Sequence, residues 1–66
     1  MDENKLKGVL RQKNKTYEDC ARALDMSTTA FFNKMNGVSR FYVEEANALA
    51  NFLNLNYRER KDIFLK

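Results

Sequence analysis

Between Thr16 and Gly37, two short stretches with helical apolar spacing are separated only by Asp25, Met26 and Ser27. Helices on so short a link cross steeply and bury their apolar faces against one shared interior. The first stretch opens on Thr16, a good N-cap because its hydroxyl accepts a bond from a free backbone N–H. Glu18 and Asp19 follow in the first turn, where the helix dipole favours anions, and Asp19 is placed for a capping box. Cys20, Ala21 and Leu24 form the inner stripe, and the small Ala21 lets a crossing helix approach. A reversal this tight needs a residue with positive φ, and Asp25 is the one in the link that tolerates it. Met26 then points back to the core and Ser27 caps the next helix. Phe31 and Met35, four apart, make that helix's inner face, and Gly37 ends it as a glycine beyond the C-cap.

The rest of the chain has the same character. It contains no proline, only Gly8 and Gly37 as glycines, and no alternation of the strand type, so the predicted fold is all-α. The helices are expected at about 3–13, 17–24, 28–36, 43–53 and 57–65, in a single domain over residues 1–66. In the first helix Leu6, Val9 and Leu10 are the inner residues, and Gly8 costs about 1 kcal/mol relative to alanine. Asn14 and Lys15 make the break that follows. Phe41 is placed to staple onto the fourth helix, whose stripe reads Val43, Ala46, Leu49, Ala50 and Leu53. Asn56 caps the fifth helix with Glu59 three residues beyond, and Ile63 and Phe64 return to the core. Phe52, Tyr57 and Leu65 are left at the surface as a modest apolar patch, read either as a self-association surface or as an ordinary partly buried rim.

Composition excludes several classes. One cysteine, Cys20, rules out an internal disulfide, and with no histidine a zinc site has almost no ligands to use. No apolar run approaches the ~18 residues of a membrane span, and the polar start MDENKLKG is not a secretory signal. A cytoplasmic, soluble protein without cofactor is expected. Glu18-Asp19 and Glu44-Glu45 are the adjacent acids, and both pairs sit in first helical turns where the dipole accounts for them. No glycine-rich phosphate loop and no cysteine beside a base is present, so the chain is not read as an enzyme and no small-molecule substrate is expected. The formal charge of +3 suits an anionic partner.

The third helix carries the functional signal. Its outer side presents Thr28, Thr29, Asn33 and Asn36 with Phe32 flanking, and only Lys34 at the edge is charged. A helix that merely faces water more often carries Glu and Lys. Threonine and asparagine can hydrogen-bond base edges, and a methyl or a ring can pack on a thymine methyl. Ser39 and Arg40 in the following loop are within reach of a phosphate, and Lys5, Lys7, Arg11, Lys13 and Lys15 crowd the end of the first helix. A plain solvated polar face is the alternative reading of these residues.

Thr16-Tyr17-Glu18-Asp19-Cys20-Ala21, then Leu24-Asp25-Met26-Ser27, then Phe31-Phe32-Asn33-Lys34-Met35-Asn36-Gly37 resembles the phage repressor and Cro type helix-turn-helix of lambda repressor-like, XRE-family proteins. That family shows a threonine cap, an alanine five residues on, a Gly-hydrophobic-Ser turn, an aliphatic in the recognition helix and a closing Asn-Gly. Phe41 to Phe64 resembles its fourth and fifth helices, so the likeness covers nearly the whole chain. The departures are Tyr17 at a common glutamine position, Asp25 for the turn glycine, Cys20 for an aliphatic, Ala46 for a larger residue, and Phe32 on the recognition face.

The resemblance implies a compact five-helix lambda repressor-like domain that regulates transcription. By position, Thr28, Thr29, Phe32 and Asn33 face the major groove, and Tyr17, Ser27, Lys34, Asn36, Arg40 and Arg11 lie near the DNA backbone. The expected partner is a double-stranded operator, engaged by a weak homodimer that forms on DNA. The expected setting is the nucleoid of a bacterial or phage-infected cell. The competing reading keeps the fold but gives it a protein partner, as in an antitoxin-like adaptor, and Phe32 with the Phe52, Tyr57 and Leu65 rim speaks for it.

Overall fold

The computed structural model describes residues 1–65, and among them five helices and no strand occur. The helices are α1 (Glu3–Gln12), α2 (Tyr17–Ala23), α3 (Thr28–Met35), α4 (Val43–Phe52) and α5 (Tyr57–Phe64). Each stops one residue short of its predicted end. Lys13, Leu24, Asn36, Leu53 and Leu65 are C-caps and no longer helical.

The starts follow local chemistry. Asp2, Thr16, Ser27 and Asn56 each accept a backbone N–H with the side chain at the head of α1, α2, α3 and α5. Thr16 and Asp19 form a reciprocal capping box with both bonds at 3.0 Å. Asn56 and Glu59 form a second, at 3.0 and 2.8 Å. At α4 the carboxylate of Glu45 alone does this, accepting from the Tyr42 N–H at 2.9 Å.

The ends repeat one device. After α1 to α4, one residue takes a positive φ: Asn14 (58°), Asp25 (57°), Gly37 (78°) and Asn54 (54°). The N–H one residue later closes onto the helix: Lys15 on the Leu10 carbonyl, Met26 on Ala21, Val38 on Asn33 and Leu55 on Ala50, each at 2.9 Å. These are Schellman closures, which satisfy the last carbonyls and swing the chain away. With no proline, the four changes of direction rest on two asparagines, an aspartate and a glycine.

The interior is a single cluster drawn from all five helices. Leu6, Val9, Leu10, Cys20, Ala21, Phe31, Met35, Leu49, Ala50, Leu53, Leu55 and Ile63 are buried, and no polar or charged residue among the described ones is buried with them. Phe31, fully buried, meets Tyr17 edge-on at 5.5 Å and Phe41 at 5.7 Å. Phe41 also reaches Phe64 at 6.4 Å, so the loop after α3 is stapled to α5 as well. Two expectations fail. Val43 belongs to the α4 stripe by spacing but is 77% exposed, because the first residue of α4 lies beyond the edge of the core. Phe52 does not join a rim with Tyr57 and Leu65; it is half-buried against the core with the Lys15 ammonium 5.1 Å above its ring. Leu55, in the break between α4 and α5, is buried. Among the described residues no helix is long and apolar enough to cross a membrane.

Candidate nucleic-acid interface

α2 and α3 are the pair on which the candidate site is built. The small Ala21 of α2 is 2% exposed. The turn between them runs through Asp25, and the Ser27 hydroxyl accepts the Ala30 N–H at 3.1 Å. α3 therefore starts at a defined place and angle, with Phe31 and Met35 facing inward.

Its other side is open. Thr28, Thr29 and Phe32 are exposed and Asn33 is half-exposed. Among the described residues no side-chain hydrogen bond engages Thr28, Thr29 or Asn33. The four residues predicted to read bases thus share one outer surface with their polar atoms uncommitted. Phe32 is 52% exposed and leans on the Tyr17 ring, 6.0 Å away. That contact joins α2 to α3 and accounts for Phe32 in part, since its ring has a partner within the fold.

The residues expected beside the backbone divide into two sets. Arg11 and Arg40 are exposed, and no ion pair engages either among the described residues. Ser27 is exposed but its hydroxyl is occupied as the cap of α3. Tyr17 is half-buried between Phe31 and Phe32. Asn36 is exposed yet doubly held: its amide donates to the Phe32 carbonyl at 2.8 Å and its oxygen accepts from Lys7 Nζ at 3.0 Å. Lys34 departs furthest from the expectation. Its side chain is 12% exposed, pairs with Glu45 at 3.0 Å, donates to the Arg40 carbonyl at 2.8 Å and lies 4.9 Å over the Tyr42 ring. The ammonium is spent on fastening α3 to the following loop and to α4, and not turned outward.

Electrostatics follow these contacts. Burial pushes the Glu45 carboxyl up, but the Tyr42 N–H and Lys34 outweigh it and hold the group below its ordinary value. The hydrogen bonds from Thr16 hold Asp19 low as well. Burial, with Asp19 adding to it, pushes the Cys20 thiol up to about 11, so it packs as a neutral hydrophobe. Among the described residues no group of three or more His, Cys, Asp or Glu is placed to hold a metal ion.

Lys7 is a residue that sequence reasoning missed. It was one cation in a basic helix, and its partner Asn36 lies 29 positions away, a separation that no local pattern reveals. The basic run is similarly dispersed by folding: Lys5 faces Asp62 at 3.8 Å, Lys15 covers Phe52, and Arg11 and Lys13 keep their charges free of ion pairs among the described residues. No protein-family profile, curated protein or solved structure matches the chain.

Proposed function

We propose that the chain is a sequence-specific double-stranded DNA-binding transcription regulator of the Cro and repressor type, a lambda repressor-like domain with α3 in the major groove. One observation carries this reading. The outer face of α3 holds Thr28, Thr29 and Asn33 without side-chain partners among the described residues, while its inner face and both its ends are fastened. Free hydroxyl and amide groups on a rigid helix are what base-edge recognition requires. Thr28, Thr29 and Asn33 read base edges, and Phe32 offers its open face to a thymine methyl. Arg11 and Arg40 contact phosphates, with Ser27, Tyr17 and Asn36 beside the backbone. Lys34 acts from behind by holding α3. In this reading the protein binds without performing chemistry, in the cytoplasm of a bacterial or phage-infected cell, and two copies meet on a two-fold operator.

Selection of bound sites from a random duplex pool tests the proposal. Enrichment of one short two-fold motif is expected; no enrichment over the input at low salt overturns it. Phe32 favours a second reading, in which the same face binds a protein, as in an antitoxin-like adaptor. If no duplex shifts at low salt and the protein instead co-purifies with a stoichiometric partner, that reading is the one supported.

A further inference from the structure

A second surface of the molecule is open and apolar, away from the outer face of α3. α4, α5, the loop after α3 and the N-terminal residues Met1 and Glu3 line a groove of about 530 Å³. Phe41, Ala46, Ala50 and Phe64 are the less exposed apolar residues that line it. Val43, Tyr57 and Leu65 stand on its rim at 77%, 77% and 76% exposed. Side chains this large and this exposed gain from being covered.

The charges around the groove limit what covers it. Lys34, Arg40, Arg60 and Lys61 line it, against Glu3 as the acid. Glu45 answers Lys34, and Arg60 is bound to the neutral Asn51 at 2.6 Å. Among the described residues Arg40 and Lys61 have no ion-pair partner. A second copy would bring the same excess of positive charge to the contact, and the whole chain carries +3. An amphipathic helix brings apolar anchors at i, i+3 or i+4, and i+7 to such a surface with carboxylates beside them. The domain's shorter dimensions are 22 and 20 Å, which a helix of roughly 13 residues would cross at 1.5 Å per residue.

We propose that this groove docks an acidic amphipathic helical segment of another protein, its apolar residues over Phe41 and Phe64 and its carboxylates toward Arg40 and Lys61. The groove shares Arg40 with the proposed phosphate contacts, while Val43, Tyr57 and Lys61 lie outside that set, so tests at those three residues let either reading fail alone. Peptides are selected from a random 15-residue display library on the full chain without DNA. A synthetic consensus peptide is then titrated by anisotropy and mapped by backbone amide shifts. The expected consensus has helical apolar spacing flanked by Asp and Glu, with shifts at Val43, Ala46, Tyr57 and Lys61. Val43→Asp sets a carboxylate against the peptide's own acids and Lys61→Glu reverses the charge opposite them, so each should weaken peptide binding about tenfold. Both positions are exposed, and circular dichroism checks that the variants remain folded. A consensus without acids, shifts outside the groove, or unchanged affinity in both variants overturns the proposal. So does a wild-type dimer in sedimentation that Val43→Asp dissociates, since the groove would then belong to a second copy.

Discussion

Asn33 and Asp25 sit eight positions apart and contribute in opposite ways. Asn33 has its side chain uncommitted at the surface of α3 while its carbonyl accepts from Val38 and Ser39. Asn33→Ala is therefore expected to leave the fold intact. On the preferred duplex it should cost about 1–3 kcal/mol and relax choice at one base pair. An equal loss on all sequences, measured by competition, removes Asn33 from the base-reading set. Asp25 holds φ at 57°, a region that costs an L-residue energy and a glycine little. Asp25→Gly should raise stability by roughly 0.5–1 kcal/mol in urea unfolding, the entropy of glycine in the unfolded chain offsetting part of the gain. A lower midpoint would mean that the aspartate carboxyl contributes more than its backbone costs.

At the scale of the element, α3 is held at its C-terminal end. Lys34 reaches Glu45 and the Arg40 carbonyl, Lys7 reaches Asn36, and Gly37 turns the chain where a Cβ would lie 2.5 Å from the Glu3 carboxylate. Lys34→Ala should lower stability by roughly 1–2 kcal/mol, more than an exposed pair contributes. It should leave the salt dependence of duplex binding unchanged. A slope smaller by about one would put the ammonium on a phosphate instead. The partner Glu45 gives this clamp a pH limit. Its carboxyl lies below the ordinary 4.5 in the folded chain, so its stabilisation is complete above that value and is lost as pH falls through the lowered one. Acid unfolding should therefore shift to higher pH in Glu45→Gln. Coincident acid limbs in the two proteins would exclude the clamp as a cause.

Over the whole molecule, folding redistributes charge that looks simpler along the chain. The sequence has 12 Lys and Arg against 9 Asp and Glu, yet Lys5, Lys7, Lys15, Arg22, Lys34 and Arg60 are engaged with partners of their own chain. Net charge thus overstates the cations free for phosphates. If Arg11 and Arg40 supply that contact, replacing both with alanine should reduce the slope of log K against log salt by about two while preserving sequence preference. An unchanged slope moves the backbone contact to other cations.

How much was legible depends on how far apart the deciding residues lie. Capping chemistry and helical apolar period act within four residues, so all five helices, the Thr16–Asp19 box, the Asp25 turn and the inner residues Phe31 and Met35 could be read directly. Asn14 and Asn54 also take positive φ, and the same asparagine chemistry was there to be read. Val43 fits its helical period yet stands outside the core, because period sets which face a residue is on and not where the neighbouring helices end. The stretch from Thr16 to Gly37 by itself determined two capped helices, a sharp turn and a polar outer face on the second. Only the tertiary structure decided which polar groups stay free. Lys34 meets Glu45 eleven positions on and Asn36 meets Lys7 29 positions back, while Thr28, Thr29 and Asn33 meet no side-chain partner among the described residues. The physical reason is that a side chain's availability is set by what folding brings beside it, and that is a property of helix packing and not of local sequence.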